Sequence, residues 1–405
     1  MRSQRTPTPA RLKALGLETA FGSGASGNWP KLLAADRSGF SRRAGFLPGR
    51  TLLVGDVKRT LPTLPASLAH YQCRNNALTL AALEPLEAVL RDAVRAAGPG
   101  RVGVVMGTST SGALDTERAL AERHVTGALP SWWRYEQLEV GGVAGFVAGW
   151  LGVRGPCYAI STACSAGARA LVSARSLLAL DLCDVVVCGA TDTLCGLTTN
   201  GFASLHALSD EPPNPFSVHR KGLVLSEGSA VFLMTREEGG IQLTGVGESS
   251  EAHHMSAPDP EGSGAEHAMR EALADAGLTP RDIAYLNLHG TATQQNDLME
   301  GRAVSRVFGG ELPSSSTKGL VGHALGAAGA LEAAFCWMVL GEVREGALLP
   351  LPHAWDGAFD PAIPKLRLVE KPEPIAVSGT AHVLTNSFGF GGNNCSLVLS
   401  RALAC

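Results

Sequence analysis

Unbroken apolar runs, set between stretches that read as helices, constrain this chain more than any other feature. Arg101-Val-Gly-Val-Val-Met106, Asp184-Val-Val-Val-Cys-Gly189 and Gly228-Ser-Ala-Val-Phe-Leu-Met234 lack the polar alternation of a strand with one wet face. Ile241-Gln-Leu-Thr-Gly-Val-Gly247 opens a second half, and Asp282 to Leu288 reads as its next strand. Between them Glu266 to Ala276 is an amphipathic helix, closed by Gly277 with Pro280 beyond. Strands of this kind alternating with helices belong to a sheet covered on both faces, an α/β architecture. Val140 to Val153 is uncharged but too short to cross a bilayer, and reads as a buried helix whose glycines allow close packing.

At 405 residues the chain can build two core-forming units. A net charge of −3 gives no general attraction to nucleic acid or anionic membrane. Nine cysteines, an odd number with no Cys-x-x-Cys pair, point to reduced thiols in a cytoplasm. No metal is expected, because the histidines lack ligand spacing and His253 and His254 are adjacent. Met1 to Lys13 carries four basic residues without a following apolar core, and reads as a loose lead-in rather than a signal peptide. The turn Gly107 to Gly112 has neither a P-loop lysine nor Rossmann spacing.

The chemistry centres on Thr162-Ala-Cys164-Ser165, a tight corner between a short strand, Cys157 to Ser161, and a helix, Ser165 to Leu180. A thiol at a helix start feels the positive end of the helix, which favours thiolate. The same corner can aim backbone N–H groups at an oxyanion, as a serine nucleophile elbow does. The other reading, a small buried cysteine, stays open on these residues alone. Further on, His289 ends an apolar strand and is followed by Gly290 and Thr291, where a loop can face a cleft. Residues 324 to 340 read as a buried helix, in which Glu332 needs a partner, and Lys318 is the obvious one. Asn386-Ser-Phe-Gly-Phe390-Gly-Gly-Asn393 sets glycines around one aromatic ring.

The Cys164 corner, His289-Gly-Thr, Lys318 with His323, and the Phe390 loop come in an order that resembles the β-ketoacyl synthase family. The likeness is to its Cys-His-His branch, which elongates acyl chains on acyl carrier protein, and runs from about residue 10 to 400. It implies the thiolase fold, with two similar α/β halves in five layers, α-β-α-β-α. The halves would span 10–239, with the nucleophile, and 240–405, with the histidines, meeting near Gly239-Gly240. It implies a decarboxylative Claisen condensation in which Cys164 carries the acyl group. His289 and His323 would bind the malonyl thioester oxygen through Nε2–H. Lys318 paired with Glu332 would fix the hydrogen bonds of the site, with Lys318 near His323. Thr291 and Thr293 would hold the phosphopantetheine arm, and the N–H groups of Cys164 and Phe390 would form an oxyanion hole. Phe390 and Gly391 would belong to a gate, and Phe202 would line the acyl tunnel. Asp297 and Glu300 are expected to be structural. No cofactor of the chain's own is implied, because substrates arrive on the carrier's arm. The partners implied are that carrier and a second subunit, in a homodimer or a heterodimer with a synthase-like chain.

Several positions depart from the pattern. Ser217 and Glu251 stand where Asp is usual, Lys221 is unusual, and Leu208 to Pro213 is acidic where basic residues often meet the carrier. Docking is therefore expected to use Arg42, Arg43 and Arg220, and Ala10 to Gly16 is a poor first strand. Arg74-Asn-Asn-Ala-Leu, Gly107 to Gly112 and Ala190 to Cys195 are similar to synthases of bacterial aryl-polyene clusters. The alternatives are a housekeeping fatty-acid elongating synthase, a non-catalytic chain-length partner, and an initiating or thiolase-type enzyme. Cys164, His289, Lys318 and His323 together speak against the second, and the His323 motif against the third.

Overall fold

The computed structural model describes residues 10–403. Strand β1 (Arg11–Thr19) opens the main sheet, and a separate two-stranded hairpin follows, β2 (Phe40–Leu47) and β3 (Arg50–Gly55). The chain returns for β4 (Val102–Gly107), β5 (Cys157–Ile160), β6 (Val185–Asp192) and β7 (Gly228–Thr235). These lie in the order β1-β7-β6-β4-β5, with two antiparallel pairings followed by two parallel ones.

Past Gly239 and Gly240, at φ 85° and 83°, the chain builds the same thing again. The strands are β8 (Ile241–Ser250), β9 (Tyr285–Asn287), β10 (Ser314–Ser315), β11 (Thr380–Gly389) and β12 (Asn393–Ala402). Their order, β8-β12-β11-β9-β10, repeats two antiparallel and two parallel pairings. The halves share an edge only where Arg11 and Leu12 pair with Gln242 and Ile241. This is the thiolase-like arrangement that the motifs imply, and the repeat is one of strand pairing.

Helices complete the layers. Among them are α1 (Gly142–Leu151), α2 (Ala166–Ala179), α3 (Gly196–Ser204), α4 (Ser263–Ala276), α5 (Gln294–Phe308) and α6 (Ala328–Gly341). α1 covers β4 and β5 from outside, and α4 covers β8 and β12. α2 and α6 pack on each other between the half-sheets. Burial all round explains why α6 is apolar on every face except at Glu332. The two helices approach closely at glycines: a Cβ on Gly167 would lie 2.7 Å from the Ala330 nitrogen, and one on Gly329 2.8 Å from the Ala168 nitrogen. Gly167→Ala should therefore destabilise the protein by ~1–3 kcal/mol through overpacking. Gly201→Ala, on α3 with nothing within 4 Å of the new methyl, should instead stabilise it by up to ~1 kcal/mol. Thermal melts of the two variants would show the opposite signs.

Three sequence expectations need correcting. Met1 to Thr6 and the three residues after them lie outside the described residues, but Arg11 to Lys13 belong to β1 rather than to a loose lead-in. Of Ala10 to Gly16, read as a poor strand, all but Ala10 lie in β1, which pairs with β7 along nearly its whole length. The strand expected from Asp282 shrinks to Tyr285–Asn287. Asp282 instead closes a capping box with Thr279, accepting its N–H at 2.7 Å. All eight described cysteines are unpaired. Among the described residues, no helix is long and apolar enough to cross a membrane.

Candidate active site

Between β5 and α2 the chain turns through Ala163, whose φ of 51° lies in the left-handed region. A residue with a Cβ enters it at a cost of about 1–2 kcal/mol. Ser165 Oγ donates to the Thr162 carbonyl at 2.8 Å, and Ser109 Oγ donates to the Ala163 carbonyl at 3.4 Å, which braces the turn. Cys164 sits at its apex, 5% exposed.

The second half supplies two imidazoles. His289 follows β9, and His323 follows a single helical turn, Lys318–Val321. His323 Nε2 lies 3.1 Å from Cys164 Sγ, and the two histidine rings meet edge to face with centroids 5.5 Å apart. The ligand-type atoms of Cys164, His289 and His323 lie within 4.8 Å of one another, a convergence that spacing along the chain does not reveal. A soft metal could use such a set, but the Lys318 ammonium beside it opposes a cation.

Lys318 is buried and makes an ion pair with Glu332. Its Nζ also donates to the His289 carbonyl at 2.7 Å and lies 3.2 Å from His289 Nδ1. An ammonium has only donors, so Nδ1 of His289 must accept, and the ring proton is held on Nε2. Burial, then the charge of Lys318, hold His289 well below the usual imidazole range, so the ring is neutral. His323 is held low for the same two reasons. Its Nδ1 has no partner among the described residues. A buried nitrogen is less costly as a bare acceptor than as an orphan N–H, which favours Nε2–H here too. Two neutral N–H donors thus converge beside Cys164. The sequence reading places Lys318 near His323, and its charge does act on that ring, but its hydrogen bonds go to His289.

The resting thiolate expected from the helix start is also corrected. Burial pushes the Cys164 thiol up to about 11, against the charge of Lys318 and the backbone N–H of Phe390. Desolvation outweighs the helix end, so the resting group is a thiol. That same Phe390 N–H faces the sulfur.

A cavity of about 310 Å³ leads to the three side chains. Thr291, Thr293, Phe202 and Phe390 line it, and the Thr291 and Thr293 hydroxyls are 2.9 Å apart. The Phe202 and Phe390 rings touch, with centroids 5.4 Å apart. Gly391, at φ 77°, is not in the lining; its N–H donates to the Met255 carbonyl at 2.9 Å. Lys318 and Glu332 stand behind the lining. Arg220 does not reach a docking surface: it is 4% exposed, and bonds Asp360 at 2.5 Å. Ser217, where the family pattern has Asp, donates to Asp356 Oδ2 at 3.0 Å.

Other residues shape the site. Glu300 accepts the N–H groups of His289 at 2.8 Å and Gly290 at 2.7 Å, although burial raises its carboxyl to about 7. Asp297 accepts the N–H groups of Phe216 and Ala292, both at positive φ, and so fixes the turn that carries Thr291 and Thr293. The sequence reading had both as structural without saying what they hold. It missed Asp192, whose carboxylate accepts from Thr108, Ser109 and Thr110, and from Gly326 beyond His323. It missed His353, whose Nδ1 accepts the Ser316 N–H at 3.0 Å, two residues before Lys318. A buried acid or imidazole in an otherwise apolar stretch is the signal that could have found them.

Two family models match the chain. "Beta-ketoacyl synthase, N-terminal domain" covers residues 70–239 and "Beta-ketoacyl synthase, C-terminal domain" covers 241–354. The 3-oxoacyl-[acyl-carrier-protein] synthase 2 of Coxiella burnetii is 30% identical, over 96% of this chain and 98% of its own length. The protein of the same name from Rhizobium meliloti is 37% identical over 268 residues, which span 62% of each chain. Among solved structures, the ketosynthase ApeO in complex with its chain length factor ApeC, from Xenorhabdus doucetiae, superimposes with a TM-score of 0.92. That match has 39% identity and covers 100% of both chains.

Proposed function

The chain belongs to the β-ketoacyl synthase family, and on that premise we propose that it condenses an acyl thioester with malonyl-acyl carrier protein. In the first half-reaction the Cys164 sulfur forms a bond to the acyl carbon. The bond from that carbon to the carrier's sulfur breaks, and the thiol proton ends on the released carrier. In the second, the malonyl thioester oxygen sits against the Nε2–H groups of His289 and His323. The bond to the carboxylate breaks, carbon dioxide leaves, and its electron pair becomes the enolate that the two donors stabilise. The enolate carbon attacks the Cys164 thioester, the N–H groups of Cys164 and Phe390 hold the oxyanion, and the sulfur departs and is reprotonated. Substrates arrive on the carrier's phosphopantetheine arm, beside Thr291 and Thr293, and no further cofactor enters.

One observation carries this reading: Lys318 fixes the His289 proton on Nε2 while His323 Nε2 stands 3.1 Å from the Cys164 sulfur. Neutral donors aimed at one point suit an enolate oxygen, whereas an acid–base pair would need one ring free to charge.

For the pathway, the reading is a specialised type II system, aryl-polyene-like, rather than housekeeping fatty-acid synthesis. Full-length likeness at 39% identity to the ApeO–ApeC complex, against 30% to the Coxiella synthase, supports it. The same likeness favours assembly with a synthase-like subunit. Unpaired cysteines fit a reducing cytoplasm. Turnover with aryl-primed, polyenoyl and saturated acyl carriers, with malonyl carrier as extender, tests the substrate class. Aryl or polyenoyl donors should give a kcat/KM at least about tenfold above saturated ones, the scale that pocket contacts can supply. The reverse order would make the chain a fatty-acid elongating enzyme.

A further inference from the structure

We propose that the hairpin β2–β3 is the surface on which the acyl carrier protein docks. The inference rests on the condensing reading above, and names the face through which that substrate approaches.

The hairpin is separate from the main sheet, and its strands carry Arg42, Arg43 and Arg50 with no acidic residue. All three arginines are exposed. On a chain whose net charge is −3, they form a local positive surface. Two carboxylates face it: Asp210 pairs with Arg50 at 3.0 Å, and Asp56, mostly buried, lies 3.7 Å from Arg43. Among the described residues Arg42 has no carboxylate partner, and it donates to the Asp210 carbonyl at 3.2 Å. Positive charge is therefore left over, on side chains that are exposed.

The hairpin also stands beside the cavity. Asp210, which it grips, follows closely on Leu205 and Ala207, both in the cavity wall. Its inner face packs in one apolar cluster with Leu223 and Phe202, which line the cavity too. The Phe46 carbonyl accepts from Thr199 Oγ1 at 3.0 Å and Asn200 Nδ2 at 3.1 Å, tying the hairpin to the helix that carries Phe202. Among the described residues the cavity lining contains no lysine or arginine. A partner that must deliver an arm into this cavity, and that presents an acidic face, finds its cations on the hairpin. Rim charges of this kind act on encounter rate and salt dependence rather than on the chemistry.

The test compares wild type with R42E/R43E/R50E on two donors, malonyl-acyl carrier protein and malonyl-pantetheine, following carbon dioxide release. The variant should lose about tenfold or more in kcat/KM for the carrier-borne donor, as expected when surface charges that steer a complex are reversed. It should keep the wild-type rate on malonyl-pantetheine. Salt should slow the wild type on the carrier-borne donor and have much less effect on the variant. The milder R42S/R43S/R50S should fall between them. An unchanged kcat/KM with the carrier, or equal losses on both donors, overturns the docking assignment. A wild type that decarboxylates neither donor overturns the condensing reading itself, and the docking surface with it.

Discussion

Cys164→Gln should abolish condensation while malonyl decarboxylation continues. The carboxamide cannot carry an acyl group, so the first half-reaction has no acceptor and product should fall by at least ~10³-fold, as when a catalytic nucleophile is removed. The donors for the second half-reaction do not depend on that sulfur. His289 keeps its proton on Nε2 because Lys318 faces Nδ1 at 3.2 Å, and the His289 backbone is held by Glu300 at 2.8 Å. Carbon dioxide release measured without an acyl donor should therefore persist, with acetyl carrier as the accumulating product. Loss of both activities together would mean that Cys164 also places the malonyl group. Retained condensation would remove it from the reaction.

The next largest effect is expected at the buried pair behind the histidines. Lys318→Met leaves Glu332, 2% exposed, without its counter-charge. Breaking such a pair costs ~3–5 kcal/mol, with protonation of the lone acid as partial relief. The sign with pH follows from burial. Glu332 is already raised to about 7, and Lys318 is what lowers it. A folded carboxyl raised above its unfolded value stabilises below that unfolded value, and the stability is lost as pH rises through the folded one. The variant's deficit against wild type should therefore be small near pH 4–5 and grow through pH 7 and above, as read from paired melts. Adding Glu332→Leu should restore most of the stability, because an apolar pair replaces a charged one without loss. Activity should stay down by ~10²–10⁴-fold in both variants, since the His289 proton is no longer fixed. A double variant that recovers activity with stability would reduce Lys318 to a packing residue.

Much of the fold and the site is legible in the sequence. The apolar runs gave the covered sheet, and the motifs, through their likeness to a family, gave the layers and the residues that meet. What could not be read was direction and depth. Lys318 lies closer to His323 than to His289 along the chain, yet its side chain reaches His289, because β9 and β10 are parallel neighbours that bring the two loops together. Arg220 reads as a surface cation, but its segment folds under Asp360. A helix end alone predicts a thiolate at Cys164, whereas burial, a property of the assembled core, sets the direction. Asp192 marks itself only as an acid in an apolar stretch; the two loops it binds, far apart in sequence, meet only in the fold.

Intact mass after incubation with acyl-loaded carrier proteins, comparing wild type with Cys164→Ala, is the most direct measurement. Wild type should gain the mass of one acyl group, the variant none, and the donor that loads fastest should identify the primer. A gain of equal size in Cys164→Ala, or none in wild type with aryl, polyenoyl and saturated donors alike, would contradict Cys164 as the acyl acceptor.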